Sequence, residues 1–301
     1  MTLSELFGFL DYPHTLEFNG GRIEPVPDYN DGFEYIMRFG NRDGYIYPPM
    51  IKSVELDPST MEPLCDIPNS EKPAPLFSLP ASHSLTIESP PAMDNLRYGD
   101  AGLLVHLIAF FFGTRLQFSD WRFDGKIPTK RMNSFLHATD VPSSFVSHVY
   151  QQWKNLSDEL KTRYVNILYM HGKVKSCEWE WDAFIYQYMV FDAIYKFYVL
   201  SGNQEIHGHK NRLKGLCKHF EVPYDNNQID LIYELRNEFF HEALWEGATP
   251  GLSLKPSASF HTVKWLDRLN SRLIVAITGY QNDYTRSGWW FFGWEPFGKS
   301  S

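Results

Sequence analysis

Hydrophobic and polar positions alternate in short runs over the first third of the chain. These runs lie between turn-forming residues, a pattern typical of β-strands with one buried face. Residues 40–44, Gly-Asn-Arg-Asp-Gly, fit a hairpin turn between two of the runs. We expect a small, mostly antiparallel β-rich domain over residues 1–95, with an irregular proline-rich connection from Pro58 to Pro80. The predicted strands are 14–18, 21–24, 33–39, 45–47, 51–56 and 83–88.

A mixed connecting region is predicted over residues 96–143. Its first part, Tyr98 to Phe112, is apolar enough for a buried helix, and Gly113 follows as a stop signal. Residues 115–118 and 121–123 resemble short extended segments. We expect this region to join the β-rich part to the helical part that follows.

From residue 144 the apolar residues recur at helical spacing. The helix predicted over 179–200 is apolar nearly all round, which is typical of a helix at the centre of a bundle or shared between subunits. We expect an all-α helical bundle over residues 144–285 and an aromatic tail over 286–301, so the fold class is α+β. The predicted helices are 145–169 with a break near Ser157, 179–200, 212–220, 226–245 and 259–280.

The helix over 226–245 has two different faces. On a wheel of about 100° per residue, the face centred on Ile232 packs into the core. Asn237 and His241 lie roughly opposite that face, and the long side chain of Arg236 can reach His241 from the flank. The outer face also carries apolar side chains, which indicates contact with another surface. The predicted core residues are Gln228, Ile232, Leu235, Phe239 and Ala243, and the outer apolar residues are Tyr233, Phe240 and Leu244.

Charge and composition limit the partners of the chain. The 301 residues carry a net charge of −8, with a pI near 5.8. A protein that coats nucleic acid non-specifically is usually basic, so any contact with RNA must be local or assembled in an oligomer.

The cysteines and the apolar runs bear on the compartment. Cys65, Cys177 and Cys217 are scattered, which fits a reducing environment better than a disulfide framework. The first residues lack a basic leader followed by an adequate apolar run. The most apolar run, 101–112, is too short to span a bilayer. We expect a cytoplasmic protein that does not contact membranes.

Two other groups of residues invite chemical interpretations. His207 and His209, with His219 further on, suggest a metal site, but no Cys or carboxylate stands at ligand spacing. We interpret them as solvated loop histidines and expect neither a metal nor a cofactor. The thiol of Cys217 has the chemistry of a nucleophile, but Cys217 fits better as a small buried residue of a helix.

The tail from Trp289 to Phe297 contains three Trp and three Phe. Such aromatic side chains would promote aggregation if they were exposed, so we expect them to pack against the rest of the protein. A docking peptide and a platform for stacking RNA bases are the alternatives.

The segment Arg236 to His241, R-N-x-x-x-H, resembles the R-x4–6-H motif of the HEPN superfamily (higher eukaryotes and prokaryotes nucleotide-binding). The order of helices around it is also similar, with a long aromatic helix, a short helix, the motif helix and a closing helix. A β-rich part in front of such a bundle resembles the layout of ApeA-like HEPN proteins of bacterial defence systems.

The resemblance implies a metal-independent endoribonuclease, acting as a toxin or as an antiviral, abortive-infection effector. It also implies a homodimer through the bundle, with motif residues of both subunits lining one cleft. The substrate would be RNA, with tRNA as one candidate, and a regulatory or antitoxin partner is a further implication. The alternative is a catalytically inactive HEPN module that binds a nucleotide or a protein partner in a regulatory assembly.

The implied reaction requires these residue types. The 2′-hydroxyl of RNA attacks the adjacent phosphate, and His241 can transfer the proton near neutral pH. Arg236 can stabilise the charge on the phosphorane-like transition state. Asn237 orients the imidazole or contacts phosphate. Asp192 matches an acidic or polar position facing the motif and is expected to position Arg236 or His241, with a buried capping or ion-pair role as the alternative. The expected products are a 2′,3′-cyclic phosphate and a 5′-hydroxyl.

Overall fold

The computed structural model describes residues 2–40, 43–91, 96–133, 135–251, 259–291 and 293–298. Strands predominate in the N-terminal part and helices in the later part, so the protein is a mixed α/β molecule. The strands are β1 (Thr2–Gly8), β2 (Leu16–Phe18), β3 (Gly21–Pro25), β4 (Tyr45–Ile46), β5 (Met50–Ile51), β6 (Val54–Leu56), β7 (Pro63–Asp66), β8 (Lys72–Pro73), β9 (His83–Glu88), β10 (Gln117–Phe118), β11 (Ile127–Pro128), β12 (Phe135–Leu136) and β13 (Glu295–Pro296). The helices are α1 (Tyr29–Phe39), α2 (Asp100–Phe112), α3 (Val141–Lys154), α4 (Asp158–Val174), α5 (Glu180–Leu200), α6 (His209–His219), α7 (Asn226–Asn237) and α8 (Ser259–Ala276).

The main sheet has five antiparallel strands in the order β10-β1-β9-β3-β2. Leu3 of β1 stands opposite Ile87 of β9, and Ile23 of β3 stands opposite Leu85. Ile23, Leu85 and Ile87 are buried, because successive side chains of a strand point to opposite faces and one face of this sheet meets the core. β4 pairs with β11, β5 with β8, β6 with β7 and β12 with β13 as separate two-stranded ribbons.

Two expectations for the N-terminal part are wrong. Residues 33–39 lie in helix α1 and not in a strand, because Tyr29, Phe33 and Ile36 recur at helical spacing and turn toward the core. The connection from Pro58 to Pro80 is not irregular throughout, since it contains β7 and β8. The predicted hairpin turn includes residues 41–42, which lie outside the described residues.

Helix α2 connects the sheet to the helical part. All of its residues are buried, so it is covered on every side. It contacts strands β9 and β10 as well as helices α3 and α4. A single hydrophobic cluster consequently contains Phe7 of the sheet, Phe111 of α2 and Ile274 of α8.

The predicted break near Ser157 is confirmed. Helix α3 ends at Lys154, and the Ser157 hydroxyl accepts a hydrogen bond from the Leu160 amide at 3.4 Å at the start of α4. Helix α5 packs against both α4 and α8. Helix α7, which carries the R-N-x-x-x-H segment, packs against α6 and α8.

Only part of the aromatic tail packs against the rest of the protein. Trp289 is fully buried and its Nε1 donates to the Pro223 carbonyl at 2.8 Å, and Phe297 is buried against Phe111. Phe291 and Trp294 are exposed by 67% and 71%. Phe292 lies outside the described residues. Among the described residues no helix has the length and apolar character needed to cross a membrane.

Candidate functional site

Helix α7 is anchored at its start and along one face. The Asp225 carboxylate caps it by accepting hydrogen bonds from the amides of Asn227 at 2.9 Å and Gln228 at 3.2 Å. Ile229, Ile232 and Leu235 are buried, while the predicted core residues Phe239 and Ala243 are half-buried and exposed. The core face of this helix is therefore shorter than the sequence indicated.

The reason is a π-helical turn over Glu238–Glu242 that follows α7 directly. The Ala243 amide bonds to the Glu238 carbonyl five residues earlier, and Ala243 itself has a left-handed φ of 55°. The expected uninterrupted helix to Trp245 is thus wrong, since the α-helix ends at Asn237. Trp245 is nevertheless buried, in edge contact with Phe184 and Phe239.

The π-turn brings Arg236 and His241 together. In a regular α-helix, residues five apart would lie about 140° apart around the axis. Here Nη1 of Arg236 is 2.7 Å from Nε2 of His241, and it also donates to Oδ1 of Asn237 at 3.1 Å. Arg236 therefore contacts both other residues of the R-N-x-x-x-H segment, with His241 exposed to solvent and Arg236 half-buried.

His209 completes the cluster and was not expected there. It is the first residue of α6, and its Nε2 lies 3.3 Å from Nη2 of Arg236. Its Nδ1 lies 3.3 Å from the hydroxyl of Tyr188 on α5. The interpretation of His209 as a solvated loop histidine is wrong, whereas His207 is exposed as expected.

The contacts with Arg236 indicate which ring nitrogen of each imidazole accepts a hydrogen bond. A guanidinium only donates, so the Nε2 atoms of His209 and His241 must both accept from Arg236. His209, whose pKa is lowered from 6.5, then carries its ring proton on Nδ1. The Nδ1 proton of His209 points to the Tyr188 oxygen.

Aromatic rings hold the guanidinium in place. Its central carbon lies 5.9 Å from the centre of the Tyr188 ring and 5.4 Å from that of Phe240. Tyr188 is buried, while Phe240 is 46% exposed. Such cation–π contacts add to the hydrogen bonds that orient Arg236.

Burial and charge tune His209 and Asp192. Burial, and then the positive charge of Arg236, lower the pKa of His209, so this imidazole is neutral at pH 7. The negative charge of Asp192 partly opposes this lowering of the pKa of His209. Burial raises the pKa of Asp192, and the charges of His209, Arg212 and Arg236 partly lower it again. Asp192 therefore lies in the electrostatic environment of the site.

Among the described side chains, Asp192 interacts with the Arg236 cluster through its charge and makes no hydrogen bond with it. Its Oδ1 atom is buried, and the described part of the chain offers it no hydrogen-bond partner. Its predicted role in positioning Arg236 or His241 stays a prediction.

Helix α6 places a local positive charge beside the cluster. Between His209 and His219 it has four basic residues and no acidic one, namely Lys210, Arg212, Lys214 and Lys218. Lys210 pairs with Asp230 of α7 at 2.7 Å. The chain is acidic overall, but helix α6 is basic and begins at the Arg236 cluster. A local contact with RNA is expected at this cluster.

Other candidate chemistry is not assembled. Over the described residues, no group of three or more His, Cys, Asp or Glu side chains is placed to hold a metal ion. Cys217 is fully buried, and burial raises the pKa of its thiol to about 12, so it is protonated and a poor nucleophile at neutral pH.

Comparisons with protein-family models, curated proteins and solved structures found no match to this chain. The chemistry of the site therefore has to follow from its own geometry. The guanidinium can bind an anion, and the two imidazoles beside it can transfer protons.

Proposed function

We propose that helices α3–α8 form a HEPN-like bundle and that the protein is a metal-independent endoribonuclease, acting as a toxin or antiviral effector. One observation carries the proposal. The Arg236 guanidinium bonds to His241 through Nη1 at 2.7 Å and to His209 through Nη2 at 3.3 Å. An anion-binding group thus stands between two proton-transfer groups.

Substrate binding is expected to release both histidines. A phosphate of RNA offers two charged oxygens, which accept stronger hydrogen bonds from Arg236 than neutral imidazoles do. When Arg236 turns to the phosphate, the Nε2 lone pairs of His209 and His241 become available. Proton transfer is then coupled to the arrival of substrate.

The two histidines take different roles in the proposed reaction. His209, which is neutral at pH 7 because its pKa is lowered, removes the proton from the 2′-hydroxyl. The 2′-oxygen attacks phosphorus, and the bond from phosphorus to the 5′-oxygen breaks. His241 takes up a proton from solvent once its Nε2 is free and delivers it to the leaving 5′-oxygen. The products are a 2′,3′-cyclic phosphate and a 5′-hydroxyl.

RNA is the proposed substrate class because the reaction uses its 2′-hydroxyl. The basic residues of α6 add local phosphate contacts to that of Arg236, in a chain whose net charge is −8. DNA of the same sequence would bind through the same phosphates and remain intact.

A homodimer through the bundle remains part of the proposal. Apolar side chains on α5, α7 and the π-turn are exposed, namely Met189, Leu231 and Phe240. Because Arg236, His209 and His241 all belong to one chain, dimerisation and cleavage can be measured separately. Leu231→Glu, which has no contact with Arg236, should convert the dimer to a monomer in light scattering, and a dimer that persists would place the contact elsewhere.

A binding module without catalysis is the second candidate. The exposed ring of Phe240 beside Arg236 would suit a nucleotide whose base stacks on the ring while its phosphate contacts the guanidinium. Binding of RNA or nucleotide without any cleavage would favour this candidate.

Purified protein tests the proposal. Wild type should cut RNA in the presence of EDTA, and Arg236→Ala and His241→Ala should each abolish cleavage while circular dichroism remains unchanged. Full activity in either folded variant would contradict the assignment of these residues. Strict dependence on an added metal would contradict the metal-free mechanism.

A further inference from the structure

Tyr188 lies beside the Arg236 cluster and is held there by packing. It belongs to α5, and its side chain is buried. Its ring contacts those of Phe184 and Phe191 on the same helix, with ring centres 5.9 Å and 5.8 Å away. Because buried side chains are closely packed, the hydroxyl of Tyr188 has a defined position next to the start of α6.

The hydroxyl of Tyr188 accepts a hydrogen bond from His209. The Tyr188 oxygen and Nδ1 of His209 are 3.3 Å apart. Because Nε2 of His209 accepts from Arg236, the neutral imidazole has its proton on Nδ1, and the Tyr188 oxygen is the acceptor of that proton. Burial, and then the charge of Asp192, raise the pKa of Tyr188, so the phenol is uncharged at pH 7.

Arg236 and Tyr188 contact the two different nitrogens of the same imidazole. In the described part of the chain, the hydrogen bonds of the His209 ring are those with Arg236 and Tyr188. In the proposed reaction, Arg236 turns to the phosphate and leaves Nε2 of His209. The contact with Tyr188 then remains as the hydrogen bond that orients the ring. Such a contact decides which nitrogen of a histidine carries the proton.

We propose that Tyr188 is a positioning residue of this site. Its oxygen keeps the ring proton of His209 on Nδ1 after Arg236 has moved to the phosphate, so that Nε2 stays unprotonated and can accept the proton of the 2′-hydroxyl. This role rests on the proposed nuclease reaction, in which His209 is the base. Because Tyr188 is buried, it acts through His209 and does not contact the RNA.

Tyr188→Phe removes the hydroxyl and keeps the ring. The ring lies 5.9 Å from the guanidinium carbon of Arg236, and its centre lies 5.9 Å from that of the Phe240 ring. Phenylalanine preserves both contacts. Tyr164→Phe is the matched control. It removes another buried tyrosine hydroxyl, on α4, which has no hydrogen-bond partner among the described residues.

Nitrogen NMR of histidine-labelled protein tests the contact without any cleavage. At a pH well above about 6.5, where histidine is neutral, the ring nitrogens distinguish the two tautomers. Arg236→Ala removes the guanidinium, and His209 should keep its proton on Nδ1 in this variant. Adding Tyr188→Phe should shift the His209 signals toward the other tautomer, whereas adding Tyr164→Phe should not. Unchanged His209 signals after Tyr188→Phe would overturn the proposal.

Cleavage kinetics test the consequence for the reaction. Tyr188→Phe should lower kcat about 10- to 10²-fold, because a small displacement of a catalytic group has an effect of this size. KM should stay within about twofold of wild type, since Tyr188 does not contact the RNA. Tyr164→Phe should match wild type in both constants. An unchanged kcat in Tyr188→Phe, or an equal loss in Tyr164→Phe, would overturn the proposal.

The two measurements separate the role of Tyr188 from the proposed function. If wild type cuts no RNA, the nuclease proposal is wrong, and the NMR comparison still decides whether Tyr188 holds the Nδ1 proton of His209. If wild type cuts RNA and Tyr188→Phe cuts it at the same rate, only the role of Tyr188 is wrong.

Discussion

Nη2 of Arg236 lies 3.3 Å from Nε2 of His209, although 27 residues separate them in the chain. This contact joins the start of α6 to the end of α7 and gives the guanidinium a second imidazole. The site therefore has two proton-transfer groups within one subunit, and the role of each can be tested by substitution.

Replacing His209 should remove the proposed base. We expect His209→Ala to slow RNA cleavage about 10²- to 10⁴-fold, the usual effect of losing a general acid or base. The matched control is His207→Ala, two residues earlier and exposed, which should cleave at the wild-type rate. Single-turnover cleavage measures both, and equal rates in the two variants would contradict the role of His209.

The pH dependence of cleavage gives a second view of His209. Burial lowers its pKa below the usual 6.5, so it stays unprotonated to lower pH than a free histidine. The acid limb of the wild-type pH–rate profile should therefore fall below pH 6.5 and should disappear in His209→Ala. A limb that persists unchanged would assign it to another group.

Arg236→Lys should not rescue the function of Arg236. A lysine ammonium carries the charge but lacks the planar fork that donates to two imidazoles in fixed directions. We expect its cleavage rate to lie within about tenfold of that of Arg236→Ala. Single-turnover rates compare the two variants. Activity near wild type would show that only the charge at this position matters.

Charge reversal on α6 should weaken RNA binding without changing the products. We expect Lys214→Glu and Lys218→Glu to reduce affinity for all RNA sequences and to lower the salt slope of log K by about one for each lost contact. Lys130→Glu reverses an exposed charge away from α6 and is the control. Titrations at several salt concentrations measure the slope, and an equal effect of all three substitutions would indicate a general charge effect.

Acid should destabilise the fold through buried His106. Burial lowers its pKa from 6.5 to about 4, so between these values the unfolded chain binds more protons than the folded one. The free energy of unfolding is then largest above pH 6.5 and falls as the pH approaches 4. For one such histidine the loss at pH 4.5 amounts to about 2–3 kcal/mol.

His106→Leu removes this group from the titration. Urea unfolding at pH 7 and pH 4.5 should show a smaller loss of stability in the variant than in wild type. Some loss should remain, because burial also lowers the pKa of His83 to about 4. Equal losses in wild type and His106→Leu would contradict the assignment.

Local patterns predicted several elements well. Ile232 and Leu235, two of the five predicted core residues of α7, are buried because their spacing matches one helix face, whereas Ile229 is buried without having been predicted. Asp225 stands directly before that helix and caps it, as an acidic residue at this position favours. The strand predicted over residues 33–39 is wrong, because the apolar positions that alternate there also fit the helical repeat that begins at Tyr29.

Only part of the candidate site could be predicted from the sequence. Arg236, Asn237 and His241 are neighbours in sequence, so their spacing was informative. His209 was not predictable in this way, since its contact with Arg236 depends on how α6 and α7 pack. Nor does the sequence of Glu238–Glu242 contain a Gly or Pro that would signal the π-turn. The His209 contact arises from the packing of α6 against α7, which periodicity does not report.

The most direct test of the central claim is the mapping of RNA ends in cells that produce wild-type protein or His241→Ala. We predict discrete new ends in the wild-type sample, with 2′,3′-cyclic phosphate on one fragment and 5′-hydroxyl on the other, and their absence in His241→Ala. Identical ends in both samples, or ends with 3′-hydroxyl and 5′-phosphate alone, would contradict the claim.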